Sequence, residues 1–380
     1  MPQKKQAATE SAFKNWINAD LVRRFGLHIL KHYSDFDVAG FEKLLPQLKS
    51  LELKARIGLI CDFLHAHLPT DYRKALRILL KAVSRPQAGI QPLTGFDLWP
   101  VTEFVQRYGL DKKDFDESLQ ALHELTQKFT AEFAIRPFLI EDEKYTLKVL
   151  HRWTQDSEVS VRRLVSEGTR PRLPWGQQLK SFIKDPAPTL PLLEDLKYDE
   201  ELFVRKSVAN HLNDISKDHP SLTLKIIQRW LQEAPTEHQA KIRWIARHSL
   251  RTLLKKGHPQ ALKIFGYKTN HRARIGKLKI SQKQIVIGEN LDFSFEISSS
   301  SPTQVMIDYL VHYKKANGSN AAKVFKLTTK KLKAGEILLV QKKHSFKLVT
   351  TRTYYPGIHY LEIMIKGQLA GKVRFELKEK

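Results

Sequence analysis

Residues Asp156–Trp175 read DSEVSVRRLVSEGTRPRLPW. Two adjacent arginines, Arg162 and Arg163, precede one carboxylate, Glu167. A glycine, two more arginines (Arg170 and Arg172) and Trp175 follow. A related block, DEELFVRKSVANHLNDISKDHP, spans Asp199–Pro220. Asp156, Val161, Arg162 and Val165 match Asp199, Val204, Arg205 and Val208 at a constant offset of 43 residues. A looser third copy is RWIARHSLRTLLKKGHP, Arg243–Pro259, and an earlier echo is AEFAIRPFL, Ala131–Leu139. Helical units of roughly 40–47 residues have the period of HEAT-like repeats. Such units stack into a superhelix with a concave face, which basic residues at one place in each unit would line. The plainer alternative is an irregular helical bundle with ordinary solvated charges.

The helical pattern extends outward from this pair of blocks. From Phe13 to about Gly266 the apolar residues are mostly helically spaced, with Trp16, Leu21, Phe25, Ile29 and Leu30 near a 3.6-residue period. Pro46 marks a kink or boundary. Pro86–Gly95 reads as a loop, and Pro100 and Gly109 bracket a short helix. Residues 1–12 read as a flexible tail and 267–276 as a basic linker. Beyond it, period-two alternation in LDFSFEISSS, TQVMIDYLVHYKK and IHYLEIMIKG marks strands, with turns at Asn317-Gly318, Gly335 and Pro356-Gly357. About seven strands in roughly 100 residues predict an immunoglobulin-like β-sandwich over 277–380. The expected fold is thus multidomain: an all-α HEAT-like repeat solenoid (13–266), then an all-β immunoglobulin-like sandwich.

Composition narrows the partner. The 380 residues carry a formal net charge of +24, which suits a polyanion, nucleic acid or an anionic membrane surface. No clear basic amphipathic helix with exposed bulky apolar residues supports the membrane alternative, and no apolar run approaches spanning length. From Thr269 onward 21 Lys and Arg face 8 Asp and Glu, so the sandwich is expected to grip DNA as well. Cys61 is the only cysteine, which excludes an internal disulfide and a thiolate zinc cluster and fits an intracellular, cytoplasmic setting. The opening MPQKKQAATE lacks the apolar core of a signal peptide. His65-Ala66-His67 has strand spacing inside a helical pattern and is not read as a metal site. No G-x-x-x-x-G-K-[ST] loop is present. No metal or cofactor is expected.

The blocks WPVTEFVQRYGL, TAEFAIRPFL, VRRLVSEGTRPRLPW and VRKSVANHLNDISKDHP together resemble the AlkC branch of the DNA alkylation-repair glycosylases. The resemblance covers most of residues 90–265, and the basic sandwich matches members with an appended immunoglobulin-like domain. It implies a HEAT-like solenoid that removes cationic N-methylated bases, such as 3-methyladenine and 3-methylcytosine, from duplex DNA. It further implies that the damaged base is not swung fully out of the helix, unlike most enzymes that act on a base.

Glu132, Glu167 and Asp214 match the family's acidic positions. Jointly they would stabilise the oxocarbenium-like sugar and orient water, with Glu167 the first choice of base. The plainer reading of each is a surface or capping carboxylate, with Glu132 pairing to Arg136 four residues on. Trp175 would contact the sugar or flank the lesion, or else pack in the core. Trp230 and Trp244 read as helix-packing residues, and Trp99 and Trp153 as core. Arg162, Arg163, Arg170, Arg205, Lys206, Arg243 and Arg247 are the candidates for phosphate contact. Successive helical residues point about 100° apart, so one member of each basic pair should face DNA, and Arg163 and Lys206 are favoured. The expected partner is double-stranded DNA with alkylated bases, bound by a monomer. The alternative is a non-catalytic HEAT-repeat protein that binds branched or bent DNA.

Overall fold

The computed structural model describes residues 13–84, 89–267, 273–349 and 352–379. The expected tail (1–12), part of the Pro86–Gly95 loop and the middle of the 267–276 linker lie outside them. Helices occupy the chain to Ile264 and strands follow from Ala273, so the all-α region and the all-β region divide as the patterning predicts. The chain separates into two compact units, Met1–Asp218 with Ala234–Ser249, and His219–Glu233 with Leu250–Lys380. Among the described residues, no helix is long and apolar enough to cross a membrane.

In the first unit the repeat is a physical object. Helices Val159–Gly168, Leu202–Asp218 and Gln239–Ser249 pack side by side in sequence order. Each of the first two is locked at its start in the same way. The Asp156 carboxylate accepts the Glu158 N–H at 2.8 Å, and Arg162 Nη1 donates to the carbonyls of Asp156 (2.8 Å) and Ser157 (2.9 Å). One rung later Asp199 accepts from Glu201 N at 2.8 Å, and Arg205 Nη1 donates to the carbonyls of Asp199 (2.5 Å) and Glu200 (2.7 Å). The lock also joins the rungs, since Arg162 Nε donates to Asp199 Oδ2 at 2.6 Å. The 43-residue offset therefore marks a helix-start device that satisfies orphan backbone groups and fixes spacing.

The reading of Trp244 as a helix-packing residue needs correction, and Trp16 lies off the helix that its spacing suggests. Trp16 is exposed, because Phe13–Trp16 forms a separate 3-10 turn ahead of the next helix, whose first turn is capped by Asn18. Trp244 lies on the surface and stacks on His248 at 4.9 Å. Trp230, Trp99 and Trp153 are buried as expected.

The second unit holds the sandwich. One sheet is centred on β4 (Asn290–Ser299). Along one edge it pairs with β1 (Ala273–Ile275) and β2 (Lys279–Ile280), and along the other with β7 (Ile337–Ser345). The other sheet runs β3-β9-β8-β5-β6, from β3 (Gln284–Val286), β9 (Gln368–Lys378), β8 (Gly357–Ile365), β5 (Thr303–Lys314) and β6 (Asn320–Leu332). Only β3 and β9 among these pair in parallel. β1 falls within the stretch read as a linker, because three residues of Ala-Arg-Ile are too short to show a period. Inward residues such as Phe293, Phe295, Ile307, Leu361 and Phe375 build the core. The buried His344 is bonded on both ring nitrogens by the hydroxyls of Tyr309 (3.1 Å) and Tyr313 (2.8 Å).

In the same unit, the turn after helix Arg251–Lys255 abuts the β8–β9 turn. A Cβ on Gly257 would lie 2.6 Å from the Lys366 carbonyl, and Gly257 has φ +69°. Only glycine permits both the close approach and the left-handed backbone there.

Candidate active site

The three acids of the sequence meet in one cluster, strung between two guanidinium groups. Glu132 follows Thr130 just before helix Ile135–Glu141, Glu167 closes helix Val159–Gly168, and Asp214 lies within helix Leu202–Asp218. Gly168 lets the end of the Glu167 helix seat against helix Ile135–Glu141, since a Cβ there would meet Ile135 Cγ2 at 2.5 Å. Arg163 Nη1 contacts Glu132 Oε2 at 2.8 Å, and its Nη2 lies 3.8 Å from Glu167 Oε1. Glu132 and Glu167 are thus separated by the width of a single guanidinium. Arg170 Nη1 donates to Glu167 Oε1 at 2.5 Å, and its Nε donates to Asp214 Oδ2 at 2.8 Å. Ser207 Oγ donates to Glu167 Oε2 at 2.6 Å, and Lys217 Nζ to Asp214 Oδ1 at 2.7 Å. Thr130 Oγ1 donates to Glu132 Oε2 at 2.9 Å. Glu132 Oε1 accepts no hydrogen bond from the described residues.

Electrostatics favour this cluster despite its burial. Burial alone would lower the Arg170 pKa, but the charges of Glu167 and Asp214 outweigh it and raise it above the usual arginine value. Arg136, behind it, has no carboxylate in direct contact among the described residues. It donates to the carbonyls of Gly168 (2.7 Å), Arg170 (2.8 Å) and Gln177 (2.5 Å). Burial and the neighbouring Arg170 charge push it down to about 10. The expected Glu132–Arg136 pair is therefore absent, because Arg136 ties down the Gly168–Gln177 loop instead. Lys54 donates to the Trp175 carbonyl at the tip of that loop. Trp175 itself has φ 66° and is 61% exposed. A tryptophan in the left-handed region is backbone strain, which a firmly held loop can sustain.

A cavity of about 380 Å³ joins Glu132 and Glu167 to Trp175. Glu132, Glu167 and Arg170 line it with Phe96, Trp99, Phe129, Phe133 and Trp175. Asp214 does not: it is buried, both oxygens spent on Arg170 and Lys217. Trp99, expected in the core, is buried yet presents an edge to the cavity. The flanking phenylalanines of FTAEF, Phe129 and Phe133, were a readable signal four residues apart. Ser207 could have been found by carrying Leu164 forward through the 43-residue offset.

The basic candidates divide. Arg162 and Arg205 are consumed in the helix-start locks, and Arg170 in the acid cluster. Arg163, favoured for phosphate, is drawn into the cluster and lies over the Phe203 ring at 4.7 Å. Lys206, its counterpart one rung on, is exposed, as are Arg243 and Arg247. His65 and His67 stack on Tyr108 and Phe63, and no group of three or more potential metal ligands occurs among the described residues.

This geometry can be set beside known proteins. Residues 123–253 match the family model described as "DNA alkylation repair enzyme", and 274–379 the one described as "Uncharacterised protein YhaZ, C-terminal Ig-like domain". The "Uncharacterized protein YhaZ" of Bacillus subtilis (strain 168) is 40% identical over 366 residues, 96% of this chain and 99% of that one. The alkylpurine DNA glycosylase AlkC of Pseudomonas fluorescens, solved bound to DNA containing an abasic site analog, is 37% identical. It superposes with a TM-score of 0.86 over 97% of this chain and 99% of its own.

His211 gives the cluster a measurable signature. It is fully buried, its Nδ1 lies 3.0 Å from the Ser166 carbonyl, and burial pushes it down to about 4. A carbonyl can only accept, so Nδ1 carries a proton, and burial keeps the ring neutral near pH 7. Between about 4 and 6.5 the unfolded chain binds a proton here that the native chain refuses, so native stability falls as pH drops through that window. Thermal denaturation at stepped pH should show a smaller acid loss in His211→Asn than in the parent. Equal acid loss in both would contradict the assignment.

Proposed function

The chain belongs to the AlkC-type family of DNA alkylation-repair glycosylases, and on that premise we propose that it releases cationic N-methylated bases, 3-methyladenine and 3-methylcytosine, from duplex DNA. The observation that carries this reading is the pairing of Glu132 and Glu167 on one aromatic-walled cavity. A positively charged base is drawn to aromatic faces and to carboxylates. As the bond from C1′ to the base nitrogen lengthens, positive charge passes to the sugar and the base leaves neutral with the bonding pair. Fixed negative charge beside C1′ lowers that barrier without having to reorganise. A water then adds to C1′, gives its proton to a carboxylate, and leaves an abasic site.

The hydrogen bonds suggest a division of labour. Glu167 has both oxygens engaged, Oε1 by Arg170 and Oε2 by Ser207, which leaves neither free to hold a water. It acts as the electrostatic partner of the sugar cation. Glu132, with Oε1 uncommitted, is the better placed to orient water and take its proton, a shift from the first choice made on sequence. Asp214 acts through Arg170. The cavity is open to solvent and walled by aromatic rings, which supports attack on a base still near its stack rather than one swung fully out. Trp175 flanks the sugar. Lys206, Arg243 and Arg247 hold phosphates, as suits an enzyme that must accept any sequence.

The sandwich would add a second grip. Lys279, Lys342 and Lys343 line a cavity of about 640 Å³ on the β2–β4–β7 face, with Ser281 and Gln341. On this reading the protein acts on DNA inside the cell.

Glu132→Gln and Glu167→Gln should each slow single-turnover release of 3-methyladenine by about 10²-fold or more. Affinity for duplex with an abasic-site analogue should stay within about threefold. Release at the parent rate by either variant would overturn the assignment, and intact duplex binding with no release by the parent chain would favour the non-catalytic alternative. Replacing Lys279, Lys342 and Lys343 by alanine should weaken duplex binding and flatten its salt dependence, by about 0.9 in the log–log slope for each phosphate that the variant no longer neutralises. An unchanged slope would remove the sandwich from the DNA interface.

A further inference from the structure

Beyond the cavity, an aromatic ledge is left without a role. Phe13 is 48% exposed and Trp16 is 46% exposed. A single exposed ring is ordinary, but two adjacent ones make an apolar patch. Here they are held in place. The buried Arg56 donates Nη1 to the carbonyls of Lys14 (2.8 Å) and Ile17 (2.9 Å) and Nε to that of Leu51 (2.9 Å). Lys14 is further tied to Glu52 at 2.7 Å.

The ledge is continuous with the candidate active site. Phe13 stacks on Phe96 (centroids 5.9 Å, 7°), whose ring lines the cavity, and meets Trp175 edge-on at 6.4 Å. Trp16 meets Phe13 and Phe96 at 83° and 81°, so neither lies parallel on it. A pinned, half-exposed indole with no stacked partner among the described residues, next to the candidate active-site cavity, offers a place for a flat ring.

We propose that Phe13 and Trp16 form a stacking platform for the nucleobase adjacent to the lesion on the damaged strand, which positions the lesion sugar over Glu132 and Glu167. The proposal rests on the glycosylase reading of the cavity. Three observations favour a base as occupant. The ledge adjoins Trp175 at a spacing that a neighbouring nucleotide can bridge, since stacked bases lie ~3.4 Å apart and further when a duplex is kinked. The chain's net charge of +24 suits the phosphates that would accompany that base. Stacking is also tolerant of sequence, because every base has a π-face, so the platform would position a lesion in any context. Phe13 and Trp16 are thus positioning residues, apart from the acids.

The test uses the full chain and a duplex with an abasic-site analogue flanked by 2-aminopurine. Binding should quench 2-aminopurine through stacking. Trp16→Ala and Trp16→Leu should lose most of that quenching, and Trp16→Phe should keep it, at matched saturation and with melting temperatures confirming the fold. Release of 3-methyladenine under single-turnover conditions should fall roughly tenfold in Trp16→Leu and recover in Trp16→Phe. Phe13→Leu should follow the same pattern more weakly. Parent-like quenching in Trp16→Leu, or a release defect that Trp16→Phe does not rescue, would overturn the platform. Quenching does not depend on catalysis, so a parent chain that quenches without releasing base would refute the glycosylase reading and leave the stacking contact standing.

Discussion

The buried guanidinium of Arg170, held between Glu167 at 2.5 Å and Asp214 at 2.8 Å, is the interaction on which the rest of the site depends. Taking three charges out of water is unfavourable, and a buried ion pair is rarely the most stabilising way to hold a core together. What it supplies is geometry. Asp214 belongs to one rung of the repeat and Glu167 to the rung before, so a planar donor fork between them sets their separation. Arg163 extends the same construction to Glu132 in the preceding rung. Losing Arg170 would leave the buried Glu167 without its close cation, a penalty of about 3–5 kcal/mol.

That constraint explains how a modest helical repeat can carry chemistry. Three successive units contribute one acid each, Glu132, Glu167 and Asp214, and the helix-start locks of Arg162 and Arg205 keep the last two in register. The Gly168–Gln177 loop, tied by Arg136, then brings Trp175 to the cavity on a left-handed backbone. Negative charge, aromatic walls and a strained but anchored loop coincide in one place. Such a site suits a leaving group that already carries positive charge.

Much of this was legible in the sequence. The 43-residue offset exposed the repeat, and alternating strands exposed the sandwich, because both are local periodicities. The offset did not say what the repeated arginine does. Arg162 and Arg205 looked like phosphate ligands, yet they bind backbone carbonyls within their own rungs, and a helical pattern cannot show whether a cation faces solvent or the preceding turn. The near-period placement of Trp16 suggests one continuous helix, whereas the Asn18 cap separates its turn from the helix that follows. The pairing of Arg163 with Glu132 joins residues 31 apart, and no spacing rule reaches that far. β1 escaped notice because three residues carry no period.

If bridging, and not charge alone, is what Arg170 contributes, then Arg170→Lys separates the two. Lysine keeps one positive charge but has no planar fork to span Glu167 and Asp214. The direct measurement is the single-turnover rate of 3-methyladenine release by Arg170→Lys beside its affinity for abasic-analogue duplex. A rate reduced by about two orders of magnitude, with affinity little changed, is the expected result. A parent-like rate in a folded Arg170→Lys protein would contradict the claim that this guanidinium organises the site.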